Sequence, residues 1–429
     1  MFIKSLLRLA LLSIALVGFA SADDHLPIVA PEEVGFDAAK LNHIEAFFEQ
    51  RVADGEIAGI VTLVARHGKI AHYSAVGYQD VQRGIPMQTD TIFRIYSMTK
   101  AIATTALMQL YEEGAFQLTD PLSRYIPEFA NLEVLRTPGS SLDDTVELQR
   151  EPRVQDVLRH TAGFSHGLGN SEYDQRFVGS GIFSTETSLE EMMTLLSEIP
   201  LMNQPGSQWR YSVGPDVALR LVEVLSGMPA DEYLAQKIFE PLGMSDTGYW
   251  VGPDKASRLG PVHWMRDGEL VPIDEEYGHP RGGVLVEPWS VNSYTFEHEF
   301  KGGSYGLLST AEDYWRFAQA MLNGGELNNE QILGPRTVSF MANDHLSEQQ
   351  RFTPATTWGL GFSVVENQGQ LGIPFSEGTF FWGGAAATTF WIDPEEDLVV
   401  VGMTQHMAVP GTGAIRGQLA ALVYGAIVD

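Results

Sequence analysis

A mixed α and β fold, with one sheet assembled from both ends of the chain and a mostly helical insertion between them, is what this 429-residue sequence predicts. Three observations carry that expectation. Runs rich in β-branched residues occur near the N-terminal end and again near the C-terminal end. A stretch following Ser97 is apolar around most of its helical circumference, the mark of a helix buried on most sides. Between residues 116 and 300 the pattern changes to short helices joined by long loops rich in proline and glycine.

The elements follow in order. Residues 37–52 have helical spacing. The runs at 60–66 and 70–76 flank His67-Gly68-Lys69 as the arms of an antiparallel hairpin do. Residues 101–110 form the buried helix, and Gly114 supplies its stop. In the insertion the clearest helix covers 216–225, behind Gly214-Pro215. Thr310 reads as an N-cap ahead of Glu312 and Asp313, with Tyr314, Phe317, Ala318 and Met321 on one face of the helix and Gly324-Gly325 ending it. Strands at 388–392 and 398–403 enclose an acidic turn, and an apolar helix at 414–426 closes the chain. The division expected is a leader at 1–22, an α/β unit made of 23–115 with 301–429, and a helical unit at 116–300.

Composition removes several classes of function. With 27 basic and 55 acidic residues the chain carries −28, which repels phosphate backbones and anionic lipid, so no nucleic-acid partner is expected. Cysteine is absent, which excludes thiol nucleophiles, disulfides and thiolate metal sites. Lys4 and Arg8, an apolar run at 9–20 and the small residues Ala20-Ser21-Ala22 read as a secretory signal. A periplasmic or secreted protein starting at Asp23, without a stable membrane anchor, is the expectation.

Ser97-Met98-Thr99-Lys100 opens the buried helix, and the i, i+3 spacing sets the hydroxyl and the amine on one helical face. A helix N-terminus favours a developing alkoxide, and desolvation favours a neutral, basic lysine. Gly302-Gly303-Ser304-Tyr305-Gly306 offers a rival G-x-S-x-G serine, with His345 or His406 as its base. That elbow needs a strand running into the serine and a helix directly behind it; the pattern gives neither, and a glycine-rich turn is the plainer reading. Tyr211, in Trp209-Arg210-Tyr211-Ser212-Val213, lies on a loop at the mouth of the Gly214-Pro215 helix. Trp382, Gly383, Gly384 and Ala385 follow Phe380-Phe381 along a strand, where paired glycines mark close backbone approach to a ligand or a bulge. The 11 histidines show no metal-ligand spacing and no glycine-rich loop cradles a phosphate, so neither metal nor cofactor is expected; His160 is assigned a structural role.

The ordered set Ser97-x-x-Lys100, Tyr211-Ser212-x and a strand motif ending in glycine resembles the serine β-lactamase and penicillin-binding protein superfamily. Residues 93–100 (FRIYSMTK), 158–164 (LRHTAGF), 241–244 (PLGM) and 306–313 (GLLSTAED) extend the resemblance over nearly all of the chain beyond the leader, in the order of class C β-lactamases and family VIII carboxylesterases. The fold this implies is of the α/β (α+β) class: an antiparallel sheet flanked by helices, with an inserted helical domain. The resemblance makes Ser97 the nucleophile, Lys100 and Tyr211 the proton-transfer pair, and the backbone N–H groups of Ser97 and Ala385 the oxyanion hole.

Two departures choose a branch. Tyr-x-Asn is replaced by Tyr211-Ser212-Val213, and Lys-Thr-Gly by Trp382-Gly383-Gly384, so the amide and the cation that serve a β-lactam are both missing. The Trp-Gly-Gly form is similar to that of family VIII esterases, with Trp382 as an apolar wall and Gly383 and Gly384 beside the substrate. Hydrolysis of short-chain esters through an acyl-enzyme on Ser97 is therefore expected. D-Ala-D-Ala carboxypeptidase, weak β-lactamase and acyltransferase activities stand as alternatives, and a peptidoglycan- or β-lactam-sensing receptor as the non-enzymatic one.

Overall fold

The computed structural model of the chain describes residues 26–169, 171–274, 294–407 and 412–429; the leader read at 1–22 lies outside the described residues. Within them, β1 (Gly59–Arg66) and β2 (Lys69–Asp80) form the expected hairpin. His67 and Gly68 turn it with φ of 56° and 70°, the left-handed pair that a two-residue loop of matching twist requires. β3 (Ile85–Pro86) extends that edge, and β4 (Thr356–Trp358), β5 (Ser363–Val365), β6 (Phe380–Gly383), β7 (Thr389–Asp393) and β8 (Leu398–Met403) come from the other end of the chain. The order is β4-β5-β6-β7-β8-β1-β2-β3, antiparallel throughout. The seam that joins the two ends runs from Val61 opposite Met403 to Arg66 opposite Leu398.

The supporting helices are α1 (Ala38–Leu41), α2 (His43–Ala53), α3 (Thr99–Glu112), α4 (Val154–Leu158), α5 (Gly214–Ser226), α6 (Ala311–Leu322) and α7 (Thr412–Ala426). The single helix expected at 37–52 is interrupted at Asn42. Helices α1, α2 and α7 cover one face of the sheet, where Ile60, Val64, Trp391 and Val400 pack against Phe48, Ile415 and Leu419. Helices α3 and α6 cover the other, where Val61, Leu63, Phe390 and Val401 meet Ile102 and Phe317. Both faces being buried explains why β1 and β8 read as continuous apolar runs rather than alternating ones: no register position points to water. This sandwich, an antiparallel sheet between two helical layers, is the α/β architecture the sequence predicts.

Between α3 and α6 the chain holds short helices, as expected, together with small strands the sequence pattern did not reveal. One hairpin, His263–Arg266 with Glu269–Pro272, pairs in parallel with His406–Met407 just beyond β8. No helix of the described residues is long and apolar enough to cross a membrane.

Helix α6 starts as its sequence indicates, the Thr310 hydroxyl accepting from the Asp313 N–H at 3.1 Å. Asp313 itself is buried, its carboxylate accepting from the Asp246 N–H at 2.7 Å and the Thr247 hydroxyl at 2.8 Å. Burial outweighs these bonds and pushes the carboxyl up to about 6 from an ordinary 3.8. A folded value above the unfolded one means that the group's contribution is full below the unfolded value and lost as pH rises through the folded one. Asp313→Asn is therefore expected to stabilise the protein by about 2 kcal/mol more at pH 8 than at pH 4.5, read by urea unfolding at both. An identical effect at both values would contradict the assignment.

Candidate active site

Ser97 sits in a one-turn 3-10 segment, Tyr96–Met98, directly before α3. Tyr96 has φ of 44°, a left-handed conformation that costs a tyrosine roughly 1–3 kcal/mol and persists only where packing dictates it. Tyr96 and Met98 are buried while Ser97 keeps an open side. One turn on, Lys100 is fully buried, and its Nζ donates to the Ser304 carbonyl at 2.6 Å and to Ser97 Oγ at 3.3 Å. Tyr211 Oη donates to the same Ser97 Oγ at 2.8 Å, and Lys100 Nζ lies 4.6 Å from the centre of the tyrosine ring. Two groups able to move a proton thus converge on one hydroxyl from residues 114 positions apart in the case of the tyrosine.

The loop carrying Tyr211 is fixed from below. Gly214, at the start of α5, lies so close to α4 that a Cβ there would stand 2.2 Å from the Val157 carbonyl. The His160 Nδ1 and the Ser212 hydroxyl are 3.0 Å apart, and the His160 ring packs against Trp209, Tyr211 and Trp358. Burial, then the Lys100 charge and His166, holds His160 well below its ordinary value, so it is a neutral ring. It contacts the tyrosine ring and makes no hydrogen bond to Ser97. On the other side His166 stacks on Tyr211 with centroids 5.5 Å apart and planes 11° from parallel.

Strand β6 supplies the third wall. The Trp382 Nε1–H donates to Tyr211 Oη at 3.4 Å, and its ring meets Trp358 edge-on at 4.7 Å. The indole is thus a hydrogen-bond donor to the site as well as an apolar surface. At Gly384 a Cβ would come within 2.6 Å of the Ile95 carbonyl and 3.1 Å of Tyr96 Cβ, so only glycine lets the turn bearing Ala385 lie against the turn bearing Ser97. Gly383 is equally constrained, by the Thr388 carbonyl at 2.7 Å and Arg416 Nη2 at 2.6 Å. Ala385, in that turn, is exposed.

Ser304, the rival serine, is fully buried. Its carbonyl, not its hydroxyl, contacts Lys100. Of the two bases that reading would require, the structure puts His345 Nε2 at the Phe340 carbonyl and pairs the His406 backbone with the His263 strand.

Several residues beside the site gave no sequence signal. Trp209 and Phe352 stack at 4.0 Å with Phe352 39% exposed, which lines the approach with aromatic surface. Arg416 lies across β6 from Trp382, above the Phe381 ring, donating to the Thr389 hydroxyl at 2.8 Å; it has no carboxylate partner among the described residues, and burial lowers it to about 10. Asp216, in the first turn of α5, is buried and accepts from the Gly303 and Ser304 N–H groups at 2.9 and 3.0 Å. Burial pushes its carboxyl up against the pull of Ser304, Lys100 and Gly303. Among the described residues no group of His, Asp and Glu is arranged to hold a metal ion.

The arrangement sets a serine hydroxyl within hydrogen-bond reach of an amine and a phenol, two groups through which its proton can pass. The family model described as Beta-lactamase matches residues 44–425. Esterase EstB of Burkholderia gladioli is 31% identical over 407 residues, covering 90% of this chain and 97% of that protein. A putative D-alanyl-D-alanine carboxypeptidase of Salmonella typhimurium is 28% identical over 455 residues, covering 99% and 98%. Among solved structures, EstCE1, described as a hydrolase with promiscuous acyltransferase activity, superposes with a TM-score of 0.78 at 26% identity over 90% of this chain and 98% of that one. With the fold, the converging hydroxyl, amine and phenol, and matches of this extent, the chain belongs to the β-lactamase family, as a serine hydrolase of the β-lactamase and penicillin-binding protein superfamily with affinity to the family VIII esterases.

Proposed function

We propose that the protein is a secreted or periplasmic carboxylesterase that cleaves neutral, short-chain esters through an acyl-enzyme on Ser97. The observation that carries this reading is the Ser97 hydroxyl held at 2.8 Å by Tyr211 and at 3.3 Å by Lys100, beneath a tryptophan where a β-lactam-cleaving relative would place a cation. Ser97 Oγ adds to the ester carbonyl while its proton passes to the Lys100 and Tyr211 pair. The carbonyl oxygen, now anionic, is received by the N–H groups of Ser97 and Ala385. The pair returns the proton to the departing alcohol, leaving the acyl group on Ser97. Water then repeats the sequence in reverse order, giving the carboxylic acid and restoring the serine.

Aromatic surface around the site, from Trp382, Trp209 and Phe352, with the buried Trp358 packed behind Trp382 and Trp209, supports a substrate without charge beside the scissile bond. The similarity to EstCE1 favours one second reading, transfer of the acyl group to an alcohol in place of water. Offering p-nitrophenyl butyrate, nitrocefin and a D-Ala-D-Ala peptide separates the readings, and product analysis with an added alcohol detects transfer. Failure to release p-nitrophenol from the butyrate would sink the esterase proposal.

Specificity gives a separate prediction. Restoring the whole Lys-Thr-Gly motif is not feasible, because a side chain at Gly383 would meet the Thr388 carbonyl at 2.7 Å. Trp382→Lys alone is expected to raise the ratio of nitrocefin to butyrate hydrolysis by roughly 10- to 150-fold, the worth of one charge-assisted contact of about 1.5–3 kcal/mol. An unmodified protein that hydrolysed nitrocefin as fast as the ester would show that the missing cation does not decide the substrate.

A further inference from the structure

Lys100 is a fully buried amine whose shortest hydrogen bond, 2.6 Å, goes to the backbone carbonyl of Ser304 rather than to any side chain. Its position against Ser97 therefore depends on where the 302–308 segment lies. That segment has almost no freedom. The Tyr249 hydroxyl donates to the Gly302 carbonyl at 2.9 Å, the Leu307 N–H donates to the Thr99 hydroxyl at 3.3 Å, and the Leu307 carbonyl accepts from the Ile95 N–H at 3.0 Å. At its centre the N–H groups of Gly303 and Ser304 both point to one oxygen, Asp216 Oδ1. The approach is close enough that a Cβ on Gly303 would stand 2.1 Å from the Pro215 carbonyl. Gly303, which occupies a variable position of the G-x-S-x-G pattern, thus has a physical reason that involves no nucleophile: a glycine there lets the backbone reach a carboxylate.

We infer that Asp216 is a positioning residue of this site, its carboxylate fixing the Gly303 and Ser304 peptides so that the Ser304 carbonyl holds the Lys100 amine against Ser97. The inference rests on Ser97 being the nucleophile. Asp216 stands five residues after Tyr211, at the N-terminal turn of the same helix whose mouth carries the tyrosine. One short segment, 211–216, therefore sets both members of the proton-transfer pair, the phenol directly and the amine through the loop. Asp216 makes no hydrogen bond to Ser97 and none is needed.

The test is a set of Asp216 variants read in two ways. The rate of Ser97 labelling by a fluorophosphonate reports the nucleophile without any assumption about the ester, and kcat and KM for p-nitrophenyl butyrate report turnover. Asp216→Asn keeps an oxygen that accepts both N–H groups, and its labelling rate is expected within about 5-fold of the parent. Asp216→Ala removes the acceptor, and a loss of roughly 10²-fold in labelling and in kcat with KM little changed is expected, the scale of a misplacement near 1 Å. Should the alanine variant not fold, Asp216→Glu retains the charge but displaces the acceptor by one methylene and is expected to lose at least about 10-fold. In a Lys100→Met background, Asp216→Ala should cost little more, because its effect runs through the lysine. A folded Asp216→Ala enzyme that labels at the parental rate, an asparagine variant as impaired as alanine, or full additivity with Lys100→Met would each overturn the inference. Failure of the parent to cleave the butyrate while Ser97 still labels would count against the proposed substrate only.

Discussion

Ser97→Ala is expected to leave ester hydrolysis at the background rate, a loss of more than about 10⁴-fold, with the fold intact. The reason is geometric. Ser97 Oγ is the atom on which the Tyr211 hydroxyl and the Lys100 amine both converge, and no acyl-enzyme can form without it. Its side chain is not part of the core, so the thermal transition should move little. Covalent labelling by a fluorophosphonate, located by mass spectrometry, checks the assignment independently of any substrate: the adduct should sit on Ser97 and vanish in the variant. Ser304→Ala is the control. Position 304 contributes a backbone carbonyl to Lys100, which alanine also provides, so most of the activity should remain. An adduct on Ser304, or abolition of activity by Ser304→Ala alone, would reverse the reading of the two serines.

The second large effect is expected from the proton-transfer pair. Tyr211→Phe keeps the ring that stacks on His166 and supports His160 and Trp382, but removes the oxygen that meets Ser97 at 2.8 Å. Lys100→Met keeps most of the side-chain volume in a fully buried position and removes the amine. Each should lower kcat by about 10²- to 10⁴-fold, the usual range for general acid–base assistance. Because both act on one proton, the double variant should be little worse than the poorer single one. Full additivity would show that they serve different steps, and a Tyr211→Phe enzyme retaining a third of the activity would remove the tyrosine from the mechanism.

What could be read directly from the sequence was whatever depends on local pattern. The β1 and β2 hairpin follows from two β-branched runs around His67-Gly68, which the structure holds in the left-handed turn conformation. Helix α3 follows from its all-round apolarity, and α6 from Thr310, whose hydroxyl caps it. Ser97 and Lys100 were visible because three residues along a helix bring side chains to one face. Tyr211 and Trp382 carry no such signal; only the ordered resemblance to a family marked them. Strands β4 and β5 escaped notice because three-residue segments containing serine and threonine have too little periodicity to register.

The sequence by itself determined the class of fold, the family and the serine at its centre, since these rest on composition, on short-range periodicity and on the order of motifs. Only the tertiary structure decided what those residues touch. It showed that the G-x-S-x-G serine is buried and offers its carbonyl, that Trp382 donates to Tyr211 as well as walling the site, that Gly383 has no room for a threonine, and that Asp216 holds the loop beneath Lys100. The physical reason is range. Side-chain direction along a helix or strand is set within a few residues, but the distance from Ser97 to Tyr211, from Lys100 to Ser304 and from Gly384 to Ile95 is set by how the sheet, α3 and α5 pack, and no local pattern encodes that packing.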